Sequence, residues 1–250
     1  TRYTSPFSVT QSATLRAIAY SSDFSQQPEA DPVQITILPV YTLTSTVPGG
    51  GNVALDPPGG QYISNTVVTV TATPGSGWSF LNWTGDASGT NTTATVRMTA
   101  NKSVQAVFGT AVSATVAGQG SVVFNPPQGP YPYGSTVRLT AVPAANYYFA
   151  LWGNAAASAG SANPLDFSVT VPNQTVSALF AQLSANQFTL TALANGSGSV
   201  SVSPQKNVYA SGETVTITAT PGPGQVLGSW SGDASGNQNP LTVTMSTSKT

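Results

Sequence analysis

One spacing recurs three times in this chain. Tyr62, Pro74 and Trp83 form the first set, Tyr131, Pro143 and Trp152 the second, and Tyr209, Pro221 and Trp230 the third. Tyrosine precedes proline by 12 residues each time, and proline precedes tryptophan by 9. Self-similarity at a fixed period points to tandem structural units and outranks any local reading. Consecutive prolines lie 69 and 78 residues apart, so the 250-residue chain divides into three modules of about 70 residues after an N-terminal piece.

The clearest segment of each module alternates apolar and polar residues. It reads Val68-Thr69-Val70-Thr71-Ala72-Thr73, then Val137-Arg138-Leu139-Thr140-Ala141, then Val215-Thr216-Ile217-Thr218-Ala219-Thr220. Period two with β-branched residues predicts a half-buried strand, with Val68, Val70 and Ala72 inward. The proline that follows lacks an N–H and ends the ladder.

Upstream, each module reads as a hairpin. Tyr41–Thr44 and Val53–Leu55 flank Pro48–Asn52, Val112–Val116 and Val122–Phe124 flank Gly118–Gly120, and Phe188–Ala192 and Val200–Val202 flank Asn195–Gly198. Downstream comes an aromatic strand: Trp78, Phe80 and Trp83, then Tyr147, Phe149 and Trp152, then Gln225, Leu227 and Trp230. Positions 78 and 80 share a face and 83 breaks the parity, which predicts a bulge. Two further strands follow, one through Val96 and Met98 and a last one over Val104–Phe108 or Val176–Phe180. The third module reaches only Lys249-Thr250, the counterpart of Lys102-Ser103. A missing last strand implies a cut from a longer chain, or a strand supplied by another chain. Residues 1–38 are no repeat copy. Phe7 and Val9, then Leu15, Ala17 and Ala19, then Val33, Ile35 and Ile37 read as three short strands.

These readings predict an all-β chain of tandem small modules: a partial β-domain over 1–38, then repeats at 41–109, 110–182 and 187–250. Short connections favour a semi-rigid rod. No helix pattern or long apolar run predicts membrane insertion.

Composition narrows the function. Only 6% of residues are charged, against about 25% in ordinary soluble domains. Seven basic and eight acidic residues leave no electrostatic footprint for nucleic acid. So weakly charged a surface repels further copies little, which favours self-association. The chain has no Cys and no His, which rules out Ser-His and Cys-His nucleophiles and Cys/His zinc sites. The acids are scattered rather than paired for glycosidase chemistry. No catalytic residue and no cofactor is expected.

Asp86-Ala87-Ser88 and Asp233 through Asn237 place oxygen side chains at alternate positions, as calcium loops do. Asp86, Asp233 and Asn237 are therefore metal candidates, with an Asx-turn as the simpler account. Trp83, Trp152 and Trp230 recur in fixed register and are expected in the cores. Trp78, Tyr147 and Tyr148 are less regular and are the candidates for stacking on sugar or a partner. Asn-x-Ser/Thr triplets such as Asn91-Thr92-Thr93 occur, as so Asn- and Thr-rich a chain produces by chance.

Pro57-Pro58-Gly59-Gly60, Val67–Pro74, Gly77-Trp78-Ser79-Phe80, Trp83-Thr84-Gly85-Asp86 and Ala106-Val107-Phe108 together resemble the divergent internalin-B-type repeat of bacterial surface proteins. The third copy carries Trp230-Ser231-Gly232-Asp233 and Asn239–Met245. The second departs, with Trp152-Gly153-Asn154. Tyr3–Phe7 and Ala13–Ala19 resemble the end of the β-domain at the C-terminus of chitobiase-type enzymes. Both resemblances imply large exported bacterial proteins and no activity of their own. A non-catalytic structural or adhesive segment at the cell surface or outside the cell is the expected function. Its export signal would lie upstream or have been removed. Its expected partners are further copies, joined end to end or by edge strands into a fibre, or a cell-surface glycan. The alternative is a carbohydrate-binding accessory module of a secreted enzyme.

Overall fold

The computed structural model describes residues 5–250. Tyr3 and Thr4, part of the chitobiase-type resemblance, lie outside the described residues. The N-terminal piece forms β1 (Ala13–Leu15) and β2 (Val33–Ile35), an antiparallel pair. The strand expected through Phe7 and Val9 does not form. Phe7, Ile18, Tyr20 and Phe24 are exposed, and so short a segment offers no second layer to bury an apolar face.

The first module contains β3 (Val40–Thr46), β4 (Gly51–Asp56), β5 (Gln61–Ile63), β6 (Val67–Pro74), β7 (Ser79–Gly85), β8 (Thr93–Arg97) and β9 (Lys102–Thr110). The second contains β10 (Val112–Ala117), β11 (Gly120–Asn125), β12 (Tyr131–Pro132), β13 (Thr136–Pro143), β14 (Tyr147–Asn154), β15 (Leu165–Ser168) and β16 (Gln174–Gln182). The third contains β17 (Gln187–Phe188), β18 (Gly198–Ser203), β19 (Tyr209–Ala210), β20 (Thr214–Pro221) and β21 (Leu241–Thr244). The described residues are all-β apart from one 3-10 turn at Ala157–Ala159.

Each complete module is a sandwich of two sheets. In the first, β4-β6-β8 faces β7-β9-β3-β5; in the second, β11-β13-β15 faces β10-β16-β14. The expected hairpins are therefore corrected. β3 and β4 belong to opposite sheets, as do β10 and β11, and β3 pairs in parallel with β9. Leu43 on one strand and Val53 and Leu55 on the next reach the same core from opposite sides. A single hairpin would have left that core without a second wall.

The alternating strands behave as read. Val68, Val70 and Ala72 on β6 are buried, as are Val137, Leu139 and Ala141 on β13. The parity break also holds: the β7–β9 register shifts between Phe80 and Asn82, and the β14–β16 register between Phe149 and Leu151. That bulge turns Trp83 and Trp152 inward, to 2% and 1% exposure.

The recurring tyrosine fastens a loop to the core. The Tyr62 hydroxyl donates to the Pro57 carbonyl at 2.6 Å, Tyr131 to Pro126 at 3.0 Å and Tyr209 to Pro204 at 3.0 Å. The five-residue Pro-to-Tyr spacing is visible in the sequence, whereas its hydrogen bond depends on how the intervening loop folds back. Burial raises the phenol pKa of Tyr131 and Tyr209. Tyr131→Phe keeps the ring and loses the bond. It should lower the second module's stability by about 1 kcal/mol in denaturant unfolding. An unchanged midpoint would count against the fastening role.

The first joint has no linker. β9 ends at Thr110 and β10 begins at Val112, while Tyr131 and Pro132 of the second module pair with Thr110 and Gly109. Trp78 stacks on Tyr133 at 5.5 Å and packs against both cores. A Cβ at Gly49 would strike the Tyr133 ring, so glycine there admits the contact.

Candidate functional site

Two places draw together the candidate residues: the tryptophan-held loops and the incomplete wall of the third module.

Each recurring tryptophan holds the loop that follows it. Trp83 N–H donates to the Gly89 carbonyl at 3.0 Å and its indole N–H to the Asn91 carbonyl at 3.0 Å. Trp152 holds Gly160 and Ala162 in the same way, and Trp230 holds Gly236 and Gln238. Gly85, Asn154 and Gly232 begin these loops at positive φ (86°, 54° and 95°), a conformation that glycine and asparagine adopt readily. This backbone requirement accounts for the Gly-Asn departure of the second copy.

Asp86 sits in the first such loop. Its Oδ2 accepts the Ser103 N–H at 2.8 Å, and Lys102 Nζ lies 3.3 Å from Oδ1. In the third module Asp233 Oδ2 accepts the Thr250 N–H at 2.7 Å. Asp86 thus ties its loop to the start of β9, and Asp233 ties its loop to Thr250. Asn237 is exposed. No group of three or more acidic side chains converges on a point among the described residues. The Ser103 N–H, followed by Lys102, holds the Asp86 carboxyl below its ordinary 3.8. A lowered folded pKa gives stability that is complete above the unfolded value and lost as pH falls through the folded one. Acid below about pH 4 should therefore loosen the first module at this corner. Asp86→Asn should flatten that acid limb, as followed by hydrogen exchange at Ser103. The second module has Ala155 at this place and should show no such limb.

Two of the three stacking candidates are engaged in packing. Trp78 lies in the first joint, Tyr147 packs against the second core, and Tyr148 is half-buried on β14.

The third module departs most from expectation. No strand forms through Gln225 and Leu227, and Trp230 makes only an isolated bridge to Gly236. In the first module that strand, β7, finds its hydrogen-bond partner in β9. The third module places only the first two residues of the counterpart: Lys249 bridges Leu190 in parallel, and Thr250 meets Asp233. Residues 225–229 join no ladder among the described strands. Trp230 remains half-buried, which corrects its expected place in the core. A cleft of about 590 Å³ opens between Leu190, Val200, Ile217, Leu227 and Trp230.

The architecture defines a class: tandem repeats of a small two-sheet module. The divergent InlB B-repeat domain matches residues 41–111, 110–184 and 188–250, and the chain belongs to that family. The first two matches overlap at 110–111, where strand β9 passes from one module into the next. The family is a non-enzymatic repeat found in bacterial surface proteins. No curated protein matches the chain. No helix among the described residues is long and apolar enough to cross a membrane.

Proposed function

We propose that this chain is a non-catalytic load-bearing segment of a bacterial surface or extracellular protein, and that copies join end to end into a fibre by sharing β-strands. The single observation that supports load-bearing is the first joint. The end of β9 pairs with β12 of the second module, and this ladder, with the Trp78–Tyr133 contact beside it, transmits force without a flexible linker. The near-neutral surface opposes association little. Extracellular placement rests on the family's occurrence in surface proteins. A glycan-binding role draws less support, since Trp78 and Tyr147 are taken up in packing and Tyr148 alone is left.

Light scattering after chromatography, with electron microscopy of the same material, tests the reading. Fibres or a ladder of oligomers are expected. A monomer persisting at high concentration would remove the fibre and leave the spacer.

A further inference from the structure

We propose that two facing loops form a clasp that sets the angle between the second and third modules and opens reversibly, so that the second joint is the point at which the chain bends. The clasp joins residues 160–163, held by Trp152, to residues 204–209. It does not rest on the end-to-end assembly above.

Asn207 Nδ2 donates to the Ser161 carbonyl at 2.8 Å, and Gln205 Nε2 donates to the Asn163 carbonyl. Each loop is fixed on its own module with these groups turned outward. On the second module the carbonyls alternate. Those of Gly160 and Ala162 accept the backbone and indole N–H of Trp152, both at 2.7 Å. Those of Ser161 and Asn163 turn to the third module instead. The Asn163 side chain also grips β13, where it accepts the Ala141 N–H and donates to the Ala141 carbonyl, both at 2.9 Å. The third module matches this alternation. Lys206 turns inward: its N–H donates to the Tyr209 hydroxyl at 3.2 Å, and its ammonium pairs with Glu213. Gln205 and Asn207, on either side of it, turn outward. Two amides held two residues apart thus meet two carbonyls held two residues apart. Neither loop has to reorganise to close the clasp.

Neither half recurs in the other modules. Gln205 and Asn207 take the places of Pro58 and Gly60 in the first module and of Pro127 and Gly129 in the second, none of which carries a side-chain donor. In the Trp152 loop the indole reaches a carbonyl 10 residues on, against 8 in the Trp83 and Trp230 loops. The added length holds the 3-10 turn at Ala157–Ala159. Loop length on one side of the joint and loop polarity on the other therefore depart together from the repeat.

The clasp is also weak. Ser161 and Gln205 are exposed and Asn163 and Asn207 half-buried, so water competes for both bonds. Among the described residues no strand of the second module pairs with one of the third, and no aromatic pair crosses this joint. The first joint has both, in the β9–β12 ladder and the Trp78–Tyr133 contact. A polar contact with so little behind it leaves relative motion as the default. Load opens the clasp before it reaches either core, and the third module then swings on residues 183–186.

The test reads distances between paired spin labels in the 250-residue chain, where the lack of native cysteine makes labelling specific. Ser121→Cys with Thr242→Cys spans the second joint, and Thr95→Cys with Ser121→Cys spans the first; all three positions are exposed. Labelled chain is diluted in unlabelled chain, so that only distances within one chain are read. Wild type should give one narrow distribution across each joint. Gln205→Ala with Asn207→Ala should widen the second to about twice its width, as the 183–186 linker then sets the range, and leave the first unchanged. Gln128→Ala, which removes an exposed amide from the corresponding loop of the second module, should change neither. Urea below the unfolding range should widen the second distribution before the first. A second distribution that is already broad in wild type, or that the double variant leaves unchanged, overturns the clasp. Equal widening of both joints in urea overturns the second joint as the point of bending.

Discussion

Trp152→Ala should destabilise the second module by about 3–5 kcal/mol, the range for removing a large aromatic from a packed core. The indole is 1% exposed, its ring lies 4.8 Å from that of Phe149, and its neighbour across the ladder is Ala178. Alanine leaves a void beside a residue already too small to collapse into it. It also frees the loop whose Ala162 carbonyl accepts the indole N–H at 2.7 Å. Trp230→Ala is the internal control. Its indole is half-buried against an open cleft, so truncation should cost about 1 kcal/mol. Three modules need not unfold as one, so the comparison calls for hydrogen exchange read module by module rather than a single melting curve. Equal losses at the two sites would mean that the third core is closed in solution and that the cleft does not persist.

That contrast also marks what the sequence could disclose. Strands β6, β13 and β20 follow from alternation because their inward side chains are fixed by period alone. The bulge before Trp83 followed from a broken parity. Sheet membership did not follow, since sequence neighbours joined by a Gly-rich turn look alike whether they pair or cross to the opposite sheet. The parallel β3–β9 contact spans a whole module and leaves no local signal. The third module's missing aromatic strand has the same origin. Residues 225–229 carry the pattern of a strand, yet a strand exists only with a ladder partner, and none of the described strands pairs with them. Among the candidate site residues, spacing located the Asp86 and Asp233 loops, whereas their bonds to Ser103 and Thr250 depend on tertiary approach. Irregularity of register drew attention to Trp78 for sugar stacking. Its partner Tyr133 lies in the next module, where no pattern within one repeat could show it.

Thr110→Val should cost about 1 kcal/mol and separate the unfolding of the first two modules. Thr110 is 2% exposed and stands at the end of the strand that both modules share. Its hydroxyl donates to the Gly77 carbonyl of the first module at 2.8 Å and accepts the Asn173 N–H of the second at 2.9 Å. Valine matches its shape and can do neither, so a carbonyl on one side and an amide on the other lose their partner. Each group left bare costs about 1–3 kcal/mol, less where water reaches it. Gly77 and Asn173 are both exposed, so water softens the loss on each side. Thr110→Ser keeps the hydroxyl and should keep the modules coupled. That separates the hydrogen bonds from the packing of the γ-methyl. The second joint supplies the comparison. Phe188 precedes Tyr209 by the same 21 residues as Thr110 precedes Tyr131, and it brings no hydroxyl. Residues 183–186 also intervene there between β16 and β17. Coupling should therefore be strong across the first joint and weak across the second, and only the first should respond to Thr110. Pulling single chains would show it directly. Wild type should release the first two modules in one event, and the valine variant in two. A valine variant that still released both together would place the coupling in the continuous strand and the Trp78–Tyr133 contact instead.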